Sequence, residues 1–578
     1  MPDLTRSQKA RVAIQSFKTL VNALALRGFF RPSGRMGQKL AECLSTLSPE
    51  IYGSMNDPRI VELKGLEYVI DRLPRGIEAC ARIILTEEEQ YEGSAFEKII
   101  PLKRRRTSYR ISPTEYCFVI TRGMTEIYDI ITHITFLNIE AKKIQKHMRD
   151  EAGNPTPEWN DLEKIVRQDT VVDPQELERA LWNLSLILGR SYQETRASYD
   201  YFEKSRAAHN ANNGLFSLIY HLGRRVDDET RSPDNFLIVY MTPSLMNIIA
   251  HQRYGKQWAA DIKANLKELG LDRRPLHIIS ANMHSVFNLI YGFAATTCTT
   301  VKADPEASLY DFIGCIRDQR DVLLAYAKQH GFYEFSDRSG SHINYQIIDT
   351  EPIETIVFHP ETRISAGKKA AGDGAVGDEG EKPVILVMDY AFGAQAFEVM
   401  DCLLNPYPAD AENGSHRRAP ELMNVRSVAI MGKAGILAGN KGDIMLATAH
   451  VMEGSSDNYP IKNDLVREDF DKDIDVYTGP MITVFGTSLQ NRDLLHRFQD
   501  TWKTVGLEME GAYYQRAISA AVIKGHIAAD VKIRYAYYAS DNPLVSGQTL
   551  AAGEMGPEGI RPTYMVTKVI LEKIFSSL

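Results

Sequence analysis

The segment Ser427–His450, SVAIMGKAGILAGNKGDIMLATAH, indicates the kind of fold adopted by the C-terminal part of this 578-residue chain. It contains two short apolar runs, SVAIM at Ser427–Met431 and IMLA at Ile444–Ala447, which are typical of buried β-strands. A glycine-rich stretch, Gly432-Lys-Ala-Gly435, follows the first run. We interpret it as a turn, because glycine permits tight backbone paths and can direct amides toward an anion or a sugar.

Strand and helix patterns alternate on both sides of this segment, from Pro383 onward. The alternation predicts an α/β domain over residues 383–578, a length suited to one hydrophobic core. The predicted strands are Val384–Asp389, Ser427–Met431, Ile444–Ala447, Met481–Phe485 and Val531–Ala539. The predicted helices are Ala394–Leu404, Arg492–Thr501 and Met509–Ala521.

The N-terminal part of the chain shows a different pattern. Apolar residues recur at helical spacing in Met124–Ile134 and in Leu177–Leu188, and Asp173-Pro174 before the second stripe is typical of a helix start. We therefore predict a mostly helical domain over residues 1–230.

The residues between these two domains are predicted to form two segments. Residues 231–360 contain two strand-like runs, Phe236–Met241 and Leu276–Ser280, separated by a helical pattern, which suggests a parallel β-α-β unit. This α/β segment either begins the C-terminal domain or forms a purely structural layer. Residues 361–382, rich in Gly, Ala and charge, are predicted to be a flexible loop or linker.

Charge and composition exclude several classes of protein. The formal net charge of −8 argues against a dedicated nucleic-acid-binding protein. The densest basic run, Lys103-Arg104-Arg105-Arg106, is interpreted as a solvated loop, with a phosphate or nucleic-acid contact as the alternative. The six cysteines lack metal-type spacing, so no metal is expected. No apolar run approaches membrane-spanning length, and we expect a cytoplasmic protein without a membrane partner.

Two acidic motifs near the C-terminus are candidates for chemistry. Glu508-Met509-Glu510-Gly511 lies at the start of a predicted helix, and Asp541 closes the strand that ends near Ala539. A carboxylate can bind two ribose hydroxyls, and the end of a strand is where open α/β sheets usually bind ligands. The residues alone also allow simpler roles, namely surface acids at a helix N-terminus and an Asx-turn at Asp541.

The order of these elements resembles the C-terminal domain of the nucleoside phosphorylase and nucleosidase superfamily, and AMP nucleosidases are the most similar members. Five segments within residues 383–578 carry the resemblance: VILVMDYAFGAQAFEVMDCLL, SVAIMGKAGILAGNKGDIMLATAH, GPMITVFGTSLQN, VGLEMEGAYYQRA and YAYYASDNP. The resemblance implies a three-layer α/β catalytic domain. It also implies an enzyme that cleaves the N-glycosidic bond of a purine nucleoside or nucleotide.

The resemblance assigns roles to individual residues. Asp541 matches the acid that donates a proton to purine N7, Glu510 the acid that binds the ribose hydroxyls, and Met509 the side chain under the sugar. The glycine segments match backbone that faces ribose and phosphate. The implied site comprises catalytic Asp541 and substrate-binding Ser540, Glu508, Met509, Glu510, Gly393, Gly432, Lys433, Ala434 and Gly435. It implies no cofactor.

Hydrolysis to free base and ribose or ribose 5-phosphate is favoured, because the resemblance is strongest to AMP nucleosidases and no arginine pair for phosphate is evident. A phosphate-dependent phosphorylase is the alternative. The chain reads Val-Met-Glu453-Gly where AMP nucleosidases carry basic residues, which argues against recognition of a 5′-phosphate.

A catalytically inactive nucleotide-sensing or scaffold protein is a further alternative. It is suggested by Ile436, which replaces a glycine of the family, and by the absence of an aromatic base-stacking residue at Ser488-Leu489. The resemblance also implies a homo-oligomer, with a regulatory or oligomerisation role for the helical N-terminal domain.

Overall fold

The computed structural model describes residues 4–576, except 88–90, 92, 105, 169–172, 233–234, 365–381, 408–420, 456 and 546–554. The chain divides into two compact units. Unit 1 comprises Met1–His251 and Gly486–Leu494, and unit 2 comprises Gln252–Phe485 and Leu495–Leu578. Most of the predicted linker 361–382 lies outside the described residues. No helix in the described part of the chain is long and apolar enough to cross a membrane.

Unit 1 combines helices with a mixed sheet. Its helices are α1 (Arg6–Arg27), α2 (Arg35–Leu47), α3 (Leu63–Ile70), α4 (Met124–His147), α5 (Pro157–Gln168), α6 (Pro174–Leu188), α7 (Tyr192–His209), α8 (Leu215–Arg231) and α9 (Pro243–His251). Its strands are β1 (Phe29–Phe30), β2 (Arg82–Thr86), β3 (Glu97–Ile99), β4 (Thr107–Ser112), β5 (Glu115–Val119) and β6 (Ile238–Met241). They pair in the order β1-β6-β2-β5-β4-β3.

The prediction of a mostly helical N-terminal domain is confirmed. The six-stranded sheet of this unit was not predicted. The apolar stripe Met124–Ile134 lies in α4, and Leu177–Leu188 lies in α6. Asp173 caps α6 by accepting the backbone N–H groups of Gln175 and Glu176. The strands β2 to β5 are each six residues or shorter, so their alternation is too brief to stand out from the surrounding helical pattern.

The predicted β-α-β unit between the two domains is wrong. β6, from the first strand-like run, pairs with β1 and β2 in unit 1. The second run forms β7 (Leu276–Ser280), which pairs with strands of unit 2. The helical segment between them is interrupted at Gln252, whose φ of 51° separates α9 from α10 (Arg253–Glu268). The two runs therefore belong to different sheets.

Unit 2 contains the predicted C-terminal domain. Its remaining helices are α11 (Met283–Cys298), α12 (Leu309–Ile316), α13 (Arg320–Lys328), α14 (Gln395–Leu404), α15 (Arg492–Trp502, which begins in the short segment of unit 1), α16 (Gly511–Ile523) and α17 (Ile560–Phe575). Its remaining strands are β8 (Phe332–Phe335), β9 (Tyr345–Asp349), β10 (Val384–Met388), β11 (Val425–Ile436), β12 (Ile444–Met452), β13 (Asn458–Pro460), β14 (Val476–Thr483), β15 (Gly506–Glu508) and β16 (Lys532–Asp541).

The long strand β11 connects two parts of the unit 2 sheet. Its first half lies parallel to β7 on one edge, and most of its length lies parallel to β16 on the other. Its last two residues, Gly435 and Ile436, pair antiparallel with β15. β16 also pairs with β12, and β14 pairs with both β12 and β15. The strands β11, β16, β12, β14 and β15 therefore close into a ring.

Helices cover both faces of the unit 2 sheet. Side chains alternate between the two faces of a strand. Ile385 and Val387 of β10 share a core with residues of α11, α12 and α17. Val384 and Leu386 share the opposite core with residues of α10, α14 and α16. This helix–sheet–helix arrangement confirms the predicted three-layer α/β fold.

Gly506→Ala should destabilise the protein. A Cβ at this position would lie 2.3 Å from Sδ of Met445 and 2.6 Å from the carbonyl oxygen of Gly435, so the β11–β15 pairing must shift. We expect the free energy of unfolding to fall by about 1–3 kcal/mol in urea denaturation. Gly314→Ala in α12 is the matched control, because its Cβ would meet nothing within 4 Å. Equal stability of the two variants would contradict the prediction.

Candidate active site

The two acidic motifs flank one residue of β11. Gly435 pairs with Leu507 of β15 on one edge and aligns with Asp541 of β16 on the other. Neighbouring strands lie about 4.8 Å apart, so Leu507 and Asp541 are separated by about 10 Å. Because Leu507 directly precedes Glu508, the strand pairing brings both motifs to the end of β11.

The segment Gly432–Gly435 continues β11, so the predicted turn is wrong at these residues. Gly432, Lys433 and Ala434 align with residues 537–539 of β16. A Cβ at Gly432 would lie 3.4 Å from the ring of Tyr390, an ordinary van der Waals contact, so packing does not require glycine at this position. The observed turn comes after Ile436 and is closed by a bond from Asn440 N–H to the carboxylate of Asp443, 2.7 Å long.

A bulge next to Gly435 places Ser540 beside Asp541. The register of β11 and β16 shifts between Ala434 and Gly435, so that Ala434 aligns with Ala539 and Gly435 with Asp541. Ser540 is left without a register partner, as in a β-bulge. Its Oγ lies 2.5 Å from Oδ1 of Asp541 and 3.2 Å from the carbonyl oxygen of Ala434. The predicted residues Ser540 and Asp541 therefore share a local network.

Asp541 is a buried carboxyl at the end of β16, only 3% exposed. Burial raises the pKa of Asp541 to about 6, although Ser540 and the positive charge of Lys433 favour its ionised form. Its Oδ2 is buried and accepts no hydrogen bond from the described residues. Asp541 can therefore exchange a proton near neutral pH.

Glu510 lies directly before α16 and is held by the backbone that precedes α14. Its Oε1 accepts the N–H of Gly393 over 2.8 Å. Gly393 has a φ of 55°, a left-handed conformation that favours glycine, and α14 begins two residues later. The structure therefore brings together Gly393 and Glu510, which are distant in the sequence.

Both carboxylate oxygens of Glu508 accept hydrogen bonds from residues of unit 2. Its Oε2 accepts the N–H groups of Glu510, over 2.6 Å, and Gly511, and so caps the first turn of α16. Its Oε1 accepts the hydroxyl of Thr483. Burial raises the pKa of Glu508 to about 7. These contacts favour a role in positioning Glu510 over the direct substrate contact that the resemblance implies.

Three residues around Glu508 carried no signal in the sequence. Thr483, the last residue of β14, accepts the N–H of Ala512 over 2.9 Å. His450 lies with Nε2 3.0 Å from the hydroxyl of Tyr537 and 4.0 Å from Oε1 of Glu508. Burial lowers the pKa of His450 to about 3, so its ring is neutral. His450 and Tyr537 lie within strands, where no motif distinguishes them from core residues.

Two other residues from the motifs are also buried in unit 2. Met509 packs in a small core with Leu437, Val484 and Leu507. Glu453 directly follows β12 and accepts the N–H of Phe485 over 3.1 Å. Burial raises the pKa of Glu453 to about 7. The loosely aligned base-stacking position Ser488-Leu489, by contrast, belongs to the short segment of unit 1.

The chain belongs to the family described as "Family of unknown function (DUF6909)", whose model matches residues 38–303 and 315–576. No curated protein matches its sequence.

Solved structures with similar parts include several nucleosidases and hydrolases. The 5′-methylthioadenosine/S-adenosyl homocysteine nucleosidase of Campylobacter jejuni is 9% identical, with a TM-score of 0.30, and the match covers 52% of this chain and 99% of that chain. Futalosine hydrolase of Helicobacter pylori is 11% identical, with a TM-score of 0.30 and coverages of 53% and 99%. AMP nucleosidase from Bacteroides thetaiotaomicron is 12% identical, with a TM-score of 0.25 and coverages of 55% and 99%. Similarity at this level does not establish a shared activity.

Asp541→Asn should stabilise the protein at alkaline pH. The pKa of Asp541 in the folded state, about 6, exceeds its ordinary value of 3.8, so the folded protein binds the proton more tightly than the unfolded chain. Stability is therefore lost as pH rises from about 4 through 6, and asparagine avoids this loss. We expect the variant to gain about 1–3 kcal/mol in the free energy of unfolding at pH 8.

The measurement is urea denaturation at pH 8, 6 and 5, where the gain should shrink as the pH falls. Asp473→Asn, at an exposed aspartate paired with Arg561, is the control and should not gain stability. An Asp541→Asn variant no more stable than the wild type at pH 8 would contradict the assigned environment.

Proposed function

We propose that this protein hydrolyses the N-glycosidic bond of a purine nucleoside or nucleotide, and that Asp541 is the general acid. The observation that carries the proposal is the buried carboxyl of Asp541, whose pKa is raised to about 6 and whose Oδ2 accepts no hydrogen bond from the described residues. A general acid works best when its pKa is near the working pH. The sequence resemblance supplies the type of bond.

In the proposed reaction, Asp541 donates its proton to N7 of the purine as the bond between C1′ and N9 breaks. The bonding electrons leave with the neutral base, and the sugar becomes cationic in the transition state. Water then forms the new bond to C1′, and its surplus proton returns to the carboxylate of Asp541. The products are the free base and ribose, or ribose 5-phosphate if the substrate is a nucleotide.

Glu510 is the proposed ribose-binding residue. Its negative charge would stabilise the cationic sugar, and its hydrogen bond from Gly393 fixes one carboxylate oxygen before substrate binds. Glu508 would hold Glu510 in place through the N–H of the same residue. Met509, the buried residue between the two acids, is proposed to pack under the sugar.

Hydrolysis is preferred to phosphorolysis because the resemblance is strongest to AMP nucleosidases and no arginine pair for inorganic phosphate is evident in the sequence. Glu453 stands where AMP nucleosidases carry basic residues, which argues against recognition of a 5′-phosphate. A phosphorylase is therefore the second choice. A homo-oligomer is also proposed, because members of the superfamily usually assemble in this way.

Base release from purine nucleosides and nucleotides, read by chromatography, tests the proposal. The wild type should release base without added phosphate. Asp541→Asn should bind substrate but lose about 10²–10⁴-fold in kcat, because proton transfer to the leaving base is removed. Glu510→Gln should lose activity through weakened binding of the sugar.

Asp473→Asn, at an exposed position of unit 2, is the matched control and should retain full activity. Release that requires phosphate would identify a phosphorylase instead. If no purine substrate yields base in either condition, both enzymatic proposals fail and an inactive nucleotide-sensing or scaffold protein is favoured.

The activity should decline at alkaline pH. A general acid must be protonated, so kcat/KM is expected to fall tenfold per pH unit above about pH 6, the pKa of Asp541. The residual activity of Asp541→Asn should lack this decline. If kcat/KM of Asp541→Asn still falls above about pH 6, the general acid is another residue.

A further inference from the structure

Tyr390 is an exposed aromatic residue at the carboxyl end of β10. It lies two residues beyond Met388, the last residue of that strand, and 40% of its surface is exposed. The strands β7, β10, β11 and β16 run parallel to one another in this part of unit 2. Ligands of open α/β sheets usually bind at the carboxyl ends of parallel strands. Tyr390 therefore lies where the sheet would be expected to bind a ligand.

The ring of Tyr390 packs against an open section of β11. The edge of β11 that faces β7 pairs with β7 as far as Ile430 and with β15 from Gly435 onward. The described strand pairings thus leave residues 431–434 unpaired along this edge. A Cβ at Gly432 would lie 3.4 Å from the ring of Tyr390, so the ring contacts β11 within the open section.

The hydroxyl group of Tyr390 is anchored by two neighbouring segments. It forms hydrogen bonds with Tyr538 of β16 and with the backbone of Asn282, which follows β7. Tyr538 aligns with Lys433, the residue next to Gly432 in β11. An aromatic ring that is fixed in this way loses little conformational freedom when a ligand packs against it.

The backbone that follows Tyr390 connects the ring to Glu510. Gly393, three residues further on, donates its N–H to Oε1 of Glu510 over 2.8 Å. Tyr514 of α16 forms a hydrogen bond with the backbone of Ala391. The segment 390–393 is therefore fixed both to Glu510 and to the helix that begins directly after it.

The ring lies on the sugar side of the proposed site. β15 runs antiparallel to β11, so the residues after Leu507 lead from the level of Gly435 back toward Gly432. Glu510, the proposed ribose-binding acid, is one of these residues. Asp541, the proposed acid at the base, aligns with Gly435, about 10 Å along β11 from Gly432.

We propose that the ring of Tyr390 packs against the sugar of the substrate and contributes to the affinity for the nucleoside. This inference rests on the proposed function, which assigns the ribose to Glu510. Sugar rings carry apolar C–H groups, and aromatic side chains commonly line ligand sites because they offer a rigid apolar surface.

Isothermal titration calorimetry with adenosine, and separately with adenine, tests this proposal. Asp541→Asn is the background for every variant, because it should bind adenosine without cleaving it. Adding Tyr390→Ala should weaken adenosine binding about tenfold, the loss expected for one aromatic contact. Adenine lacks the sugar, so its affinity should not change. Tyr390→Phe keeps the ring and should retain most of the affinity for adenosine.

Tyr333→Ala, at a 37% exposed tyrosine of β8, is the matched control and should change neither affinity. Circular dichroism checks that each variant folds. If Tyr390→Ala does not fold, Tyr390→Leu keeps apolar volume against Gly432 and should still weaken adenosine binding severalfold.

Equal adenosine affinity with and without the ring, or no saturable binding of adenosine, would overturn the proposal. An equal loss for adenosine and adenine would also overturn it, because the effect would then not depend on the sugar.

Base release separates this proposal from the proposed function. Tyr390-dependent adenosine binding in a protein that releases no base would leave the sugar contact standing while the proposed hydrolysis fails. Base release with a KM that Tyr390→Ala does not change would leave hydrolysis standing and overturn the sugar contact.

Discussion

The pairing of Gly435 on both edges is the interaction on which the geometry of unit 2 depends. One edge fixes β15 and the other fixes β16, so the ring of strands closes at the point where the two acidic motifs meet. The opposing position 506 requires glycine, because a Cβ there would lie 2.6 Å from the carbonyl oxygen of Gly435. The separation of the acids is thus set by backbone hydrogen bonds, which are stiffer than loops.

The acids near this point differ in how their burial is compensated. Glu508 accepts two backbone N–H groups and a hydroxyl, and so stabilises the start of α16. For Asp541, Ser540 and the nearby charge of Lys433 are the described groups that stabilise the ionised form. An under-compensated buried carboxyl lowers stability, and such residues are retained in proteins mainly where their proton is used.

The sequence predicted the three-layer fold and the two acidic motifs, because strand runs and helical stripes report burial directly. It failed where long-range pairing decides the outcome. Nothing local distinguishes β6 from β7, yet they belong to different sheets. Gly432–Gly435 has the composition of a turn, but pairing with β16 holds it extended, and Gly435 also pairs with β15. Arg104 and Arg106 look solvated until α4 supplies Asp129 and Glu126. The roles assigned to Asp541 and Glu510 remain predictions.

The membership of Gly486–Leu494 in unit 1 means that the two units are not separable at a single point along the chain. The backbone leaves unit 2 after Phe485 and re-enters it at Leu495. Within this excursion, Gln490 accepts the N–H of Glu50, and Asn491 donates to the carbonyl oxygen of Leu47. A fragment that starts at Gln252 would therefore carry a nine-residue segment without its hydrogen bonds to Glu50 and Leu47. Residues 486–494 therefore fold as part of unit 1, although the chain on both sides of them belongs to unit 2.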